Sequence, residues 1–348
     1  MKRLLALFAF PLISFALLAT GCGGPVPEAP KAPEPELGID VLWYRHPEDS
    51  PGTIAAKAAR IVRYIDHLGA NAISISFPFY MEDQRASRVF SGKATPAPAD
   101  IAVLIDEAAA QGLSVNVRPL LNQDAIGGWR GAIHPASRNE WFASYERFLA
   151  PYLAMASAHR ATSFTVGAEL SSLAHDSAWN AVDGWARTVF HGSLSFSNNW
   201  DAFAADQLGG GTVDQEGVDA YFPVPLDDGA SVHDLVTALN VWLSRPRSIH
   251  LADIVVQETG IAAQPGSYAH PQAWTGSADR DLRLQSRWYQ AMCTVVREHH
   301  MAGLYFWDID FNQNVSRPDP KMDPPLSFIG RDAATAVRSC FAAQTERW

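Results

Sequence analysis

Eight short apolar runs punctuate the chain: Ile39–Trp43, Ala72–Phe77, Ser114–Arg118, Ser163–Val166, Ser193–Ser197, Val218–Tyr221, Ile254–Gln257 and Gly303–Trp307. Each suits a buried strand and is too short for a core helix. The longer stretches between them carry helical spacing. In Thr53–Leu68, the residues Ile54, Ala58, Ile61, Ile65 and Leu68 recur at three- and four-residue steps, which places them on one helix face. Ala99–Gln111, Arg138–Ser157, Ala178–Phe190, Val232–Leu243 and Asp281–His300 read the same way. Gly69 and Gly112 fall just past helical runs, where a left-handed cap is needed before the next strand. Strands alternating with helices predict parallel pairing and an α/β architecture. Eight such units favour a closed (β/α)8 TIM barrel, a single domain, over an open doubly wound sheet. After the first run stands Tyr44-Arg45-His46-Pro47 rather than a Gly-rich phosphate loop, which argues against a nucleotide site.

The N-terminal residues stand apart from this pattern. Lys2 and Arg3 precede the apolar stretch Leu4–Leu18, and Ala19-Thr20-Gly21 leads into Cys22. That is the layout of a secretory signal peptide over 1–21. The run is too short, and too broken by Pro11, for a comfortable membrane span. Small residues directly before a cysteine resemble the bacterial lipobox, which implies lipid attachment at Cys22; the alternative is an ordinary signal peptide cut nearby. Residues 22–36 are Pro-rich and nearly devoid of large apolar side chains, the composition of an extended tether. The barrel domain is expected over 37–348.

The chain is 47% hydrophobic, enough for a large core, and its formal net charge is −10. Loss of Lys2 and Arg3 with the leader makes that −12. An acidic protein without basic clusters is a poor candidate for nucleic acid, and uncharged polyhydroxylated ligands suit it better. With Cys22 set aside, Cys293 and Cys340 can form one disulfide in an exported protein or remain two buried thiols. Neither belongs to a metal-ligand spacing. His299-His300 diverge on a helix and read as surface.

In a (β/α)8 barrel the functional groups gather at the C-terminal strand ends. Glu169 follows the fourth run and Glu258 the seventh. Alone, either is weak evidence, since a single Glu there is more often a helix-end charge or a loop ion pair. Together they can set two acids across one cleft. Retaining glycosidases need such a pair roughly 5–5.5 Å apart, one as nucleophile and one as acid/base. Trp43, Arg118, Asn199, Trp200, Tyr221 and Trp307 stand at other strand ends, with Trp129 and Arg130 after the third run. Aromatic faces and multidentate donors of this kind hold sugars. Arg118 could instead pair with a barrel carboxylate or orient a catalytic Glu. Trp141, Trp185 and Trp288 lie on expected helices and read as packing.

These features resemble the retaining (β/α)8 glycosidases, and within them glycoside hydrolase family 113, the β-mannanase-type family. The matching pieces are Trp129-Arg130-Gly131, Phe164–Leu170, Ser197–Trp200, Gly217–Pro223, Val256–Ile261, Tyr305-Phe306-Trp307 and Gly330–Ala333. The resemblance implies Glu169 as acid/base, Glu258 as nucleophile, and Asn199, Trp200, Tyr221 and Trp307 as sugar-site residues. Two positions depart from the pattern. Ala168 stands where many relatives of the wider clan have Asn, and Arg118-Pro119-Leu120 stands where the family often shows Lys-Pro-His.

The expectation is therefore a monomeric exported hydrolase of β-linked polysaccharide or oligosaccharide, foremost β-1,4-mannan, working without cofactor or metal. Two alternatives are another β-glycan (glucan, xylan or cell-wall glycan) as substrate, and a membrane-tethered glycan-binding lipoprotein without activity. Gly23 lacks the Asp that often retains lipoproteins at an inner membrane, so an outer-membrane or cell-surface position is expected.

Overall fold

A computed structural model describes residues 34–245, 247–274 and 279–343. The expected leader, the lipidation site Cys22 and most of the tether lie outside the described residues. Eight parallel strands close into a barrel in sequence order, the last pairing with the first. They are β1 (Glu36–Leu42), β2 (Ala72–Phe79), β3 (Ser114–Leu121), β4 (Ser163–Ala168), β5 (Ser193–Asn199), β6 (Gln215–Asp219), β7 (Ile254–Thr259) and β8 (Gly303–Asp310). The helices are α1 (Pro51–Leu68), α2 (Pro98–Ala110), α3 (Arg138–Ala158), α4 (Ala178–Val189), α5 (Trp200–Ala204), α6 (Val232–Leu243), α7 (Leu282–Glu298) and α8 (Asp332–Ala342). The sequence reading gave every strand, but stopped most of them two or three residues short at the mouth. It missed α5 and α8.

Local chemistry sets the helix ends. Ser50 caps α1 by accepting from Thr53 N at 3.2 Å, and Pro51 occupies its first turn. Gly69 ends it in the left-handed conformation (φ 84°), where its N–H returns to the last carbonyls. The residues Ile54, Ala58, Ile61, Ile65 and Leu68 are all buried against the barrel. Trp141 and Trp288 are fully buried and Trp185 packs at the core edge, as expected for packing tryptophans. Cys293 on α7 and Cys340 on α8 form a disulfide. Among the described residues, no helix is long and apolar enough to cross a membrane.

The barrel interior is polar at mid-height. Asn116 donates to Ser74 (3.2 Å) and Thr165 (3.0 Å), and Thr165 bonds Ser195 at 3.0 Å. Side chains alternate across a strand, so the polar residues of each strand face inward while Ile73, Ile75, Val115, Val117, Phe164 and Val166 are buried against the helical layer. This closed hydrogen-bonded layer supports a charged one nearer the mouth.

Candidate active site

The charged layer is centred on Arg118, which is fully buried. Its Nη2 donates to Asp219 Oδ2 at 2.7 Å, and its Nη1 forms an ion pair with Glu258 Oε2 at 2.9 Å. Asp219, the last residue of β6, also accepts from Ser197 Oγ at 2.6 Å. Asp40 on β1 accepts from Ser76 Oγ at 3.0 Å, while its Oδ2 has no hydrogen-bond partner. Burial pushes the Asp40 carboxyl up to about 7, against the opposing pull of Arg118. Burial lifts Asp219 well above the usual carboxylate range too, again opposed by Arg118. Burial disfavours the Arg118 charge, but Asp219, Glu258, Asp40 and Glu169 outweigh it and raise its pKa further.

Glu258 lies within β7 rather than after it, and is nearly buried. Its Oε2 faces Arg118, and its Oε1 accepts a short hydrogen bond from the Tyr221 hydroxyl. Both oxygens are thus held. Tyr221 stands two residues past β6, and burial followed by the Glu258 charge keeps its phenol protonated far above its ordinary range.

Glu169 immediately follows β4. Its backbone is left-handed (φ 54°), a conformation rare for a residue with a side chain, and its N–H donates to Ser197 O at 2.9 Å. Such outliers concentrate where a side chain must be aimed at a site. The carboxylate has one loose ionic partner, Arg130 Nε at 3.6 Å. Burial raises the Glu169 carboxyl above its ordinary value; Arg130 opposes this and the charge of Glu258 adds to it. The two glutamates therefore feel each other and differ in surroundings. One is clamped at both oxygens, and the other is desolvated and loosely paired with Arg130.

Glu169 opens into a cleft of about 660 Å³, whose walls include Trp129, Arg130, Asn199, Trp200, Tyr221 and Trp274. A second cavity of about 350 Å³ shares Gln123, Asp124, Arg130, Gln272 and Trp274 with the first and reaches Tyr44, Leu120 and Trp307. Together they form one groove across the mouth. Trp129 is exposed, and a side chain at Gly131 would collide with its indole; the glycine lets the ring fold back over the 3-10 turn Arg130–Ala132. Asn199 donates to Asp201 Oδ1 at 2.8 Å, and Trp200 packs edge-on against Trp242.

Most of the residues expected at the site converge here, with three differences. Trp43 is fully buried and stacked on Phe311 at 3.7 Å, and it lines neither cavity. Arg118 sits below the groove floor, where it reaches carboxylates rather than ligand. Trp307 lies inside β8, which runs on to Asp310, although its ring does line the smaller cavity. Sequence reasoning missed Trp274, whose ring stacks near Trp307 at 6.5 Å from a loop without strand signal. It also missed Asp40 and Asp219; a polar residue at every second position of an apolar strand was the available clue.

The sequence profile of Glycoside Hydrolase Family 113 matches residues 49–324. The chain belongs to glycoside hydrolase family 113. It is a glycoside hydrolase on that assignment, and the (β/α)8 barrel is the fold of its structural neighbours. A family 113 β-mannanase from Alicyclobacillus acidocaldarius, in complex with ManMIm, matches with a TM-score of 0.72 at 22% identity, over 90% of this chain and 99% of that one. A complex of a family 113 β-1,4-mannanase matches at 0.71 and 18%, over 89% and 99%. A family 5, subfamily 18 protein from Streptomyces cattleya, bound to Manβ1-4GlcNAc, matches at 0.57 and 13%, over 89% and 80%. No curated protein matches the chain.

Proposed function

We propose that this hydrolase cleaves β-1,4-linked mannan or manno-oligosaccharides with net retention, using Glu258 as nucleophile and Glu169 as acid/base. The observation that carries the reading is the unequal environment of the two glutamates at one barrel mouth. Arg118 and Tyr221 fix both oxygens of Glu258, an arrangement suited to a carboxylate that must attack in a set direction. Burial keeps a proton on Glu169 to higher pH, which suits a group that must first donate one. Glu258 attacks the anomeric carbon as Glu169 protonates the departing glycosidic oxygen. Glu169, now ionised, then takes a proton from water as that water displaces Glu258. The choice of mannan draws on the mannanase names carried by the family 113 neighbours.

The test is reducing-sugar release from β-1,4-mannan, glucan and xylan by the wild type and by Glu258→Gln. The reading expects mannan to be the best substrate and the variant to lose activity by several orders of magnitude. Undiminished activity in Glu258→Gln refutes the mechanism, and a preference for glucan or xylan refutes the substrate. Binding of glycan without turnover by the wild type makes the protein a lectin-like tether.

The export signal and lipid anchor at Cys22 complete the proposal, placing the barrel at a bacterial outer membrane or cell surface. Metabolic labelling with a radioactive fatty acid checks it. Label is expected on the wild type and absent from Cys22→Ser; label that survives the substitution defeats the anchor.

A further inference from the structure

The inward strand faces change character between the charged layer and the groove. Two residues beyond Asp40 on β1 stands Leu42, and two beyond Arg118 on β3 stands Leu120, each on the same strand face as the charge below it. Leu120, Ala168 and Trp307 form a hydrophobic cluster of their own, with Leu42 and Leu326 packed against it. Leu42, Leu120 and Trp307 also line the 350 Å³ cavity, and Ala168 directly precedes Glu169. The smaller cavity, which shares Arg130 with the cleft that holds Glu169, therefore has a hydrocarbon floor. Its rim is polar. Asn122 Nδ2 donates to the Tyr44 hydroxyl at 3.2 Å, and Arg130, which also lines the cavity, reaches toward Glu169.

A pyranose whose hydroxyls are all free finds no partner for a hydroxyl lowered onto this floor, and a buried hydroxyl without a hydrogen bond is penalised. An acetyl group reverses the balance. Its methyl gains by burial against Leu42 and Leu120, while its carbonyl oxygen can accept from Asn122 or Arg130 at the rim. We infer that this cavity selects a sugar unit bearing an acetyl substituent, carried either as an O-acetyl ester on a mannosyl unit or as the N-acetyl group of a hexosamine. The inference rests on the hydrolase reading above and narrows its substrate.

The experiment compares kcat/KM for O-acetylated β-1,4-mannan with that for the same polymer after alkaline deacetylation, with β-1,4-linked N-acetylglucosamine oligomers as a third arm. Apolar pockets discriminate a methyl-sized group by roughly 10- to 200-fold, so a preference of about 10-fold for an acetylated arm is expected. The better of the two acetylated arms identifies the atom that carries the group. Leu120→Asn, which sets an amide on the floor, is expected to bring the ratio close to one. Equal kcat/KM on acetylated and deacetylated mannan, with no turnover of the N-acetyl oligomers, overturns the inference and leaves mannan hydrolysis standing. Calorimetry on Glu258→Gln reads the same preference without turnover. Tighter binding of acetylated than of deacetylated oligosaccharides upholds the inference even if hydrolysis of mannan fails, and equal or weaker binding overturns it.

Discussion

Replacing Asp40 by Asn should remove a measurable part of the pH dependence of this protein's stability. Asp40 is fully buried, one of its oxygens has no partner, and burial moves its carboxyl from the ordinary 3.8 up to about 7. In the unfolded chain it has lost its proton by pH 5, whereas in the fold it keeps that proton until about pH 7. The native state therefore holds more protons through this window, and stability falls as the pH rises through it. Each fully titrated pH unit is worth about 1.4 kcal/mol, and the group is half ionised at pH 7, so the wild type loses about 2 kcal/mol to it between pH 5 and pH 7 and about 3 kcal/mol by pH 8. Asn cannot ionise, and any cost of an unpaired amide is the same at both pH values. The assay is denaturant unfolding of wild type and Asp40→Asn at pH 5 and pH 8. The variant should lose about 3 kcal/mol less than the wild type over that range. Equal losses would refute the reasoning and mean that Asp40 is already ionised in the fold at pH 5.

Three further outcomes follow from the same geometry. Tyr221→Phe removes a hydrogen bond to a charged group, worth about 1.5–3 kcal/mol, and should lower kcat/KM by roughly 10- to 150-fold; an unchanged value would mean that Glu258 needs no such restraint. Arg130→Gln takes away the cation that opposes proton retention by Glu169, so the alkaline limb of the kcat/KM profile should move to higher pH, and a limb that stays put would remove Glu169 from the proton-donor role. The Cys293–Cys340 bridge spans a sequence separation of 47, so replacing both cysteines by Ser should cost about 4 kcal/mol in unfolding experiments while activity at 25 °C is retained. A loss of activity without loss of stability would count against a purely structural bridge.

The barrel was legible because short segments rich in β-branched and aromatic residues alternate eight times with longer segments of helical spacing. The mouth ends of the strands were not. Asn199, Thr259 and Asp310 complete their strands, yet hydrophobic patterning fades where several polar residues follow one another. At a catalytic mouth polarity marks the site rather than the end of a strand. Helix α8 escaped notice because Ala333, Ala334 and Ala336 make much of its buried face, and alanine gives a weak periodic signal. The two glutamates were legible through their positions after the fourth and seventh runs. Their separate environments were not, since Arg118, Asp40 and Asp219 come from three distant strands. Trp43 shows the opposite error: an aromatic at a strand end suggested a sugar contact, but its ring is buried and stacked on Phe311. Leu120 and Ala168 were read only as departures from a family pattern. They pack with Trp307 in one small apolar cluster.

The central claim is that Glu258 forms a bond to the sugar while Glu169 handles the proton. It is tested most directly by incubating the enzyme with an activated 2-deoxy-2-fluoro mannoside and mapping the adduct by peptide mass spectrometry. The account expects one sugar per chain, attached to the peptide bearing Glu258, formed more slowly in Tyr221→Phe and absent from Glu258→Gln. A label on any other residue, or active enzyme that hydrolyses mannan yet never accumulates the adduct and releases product with inverted configuration, would contradict it.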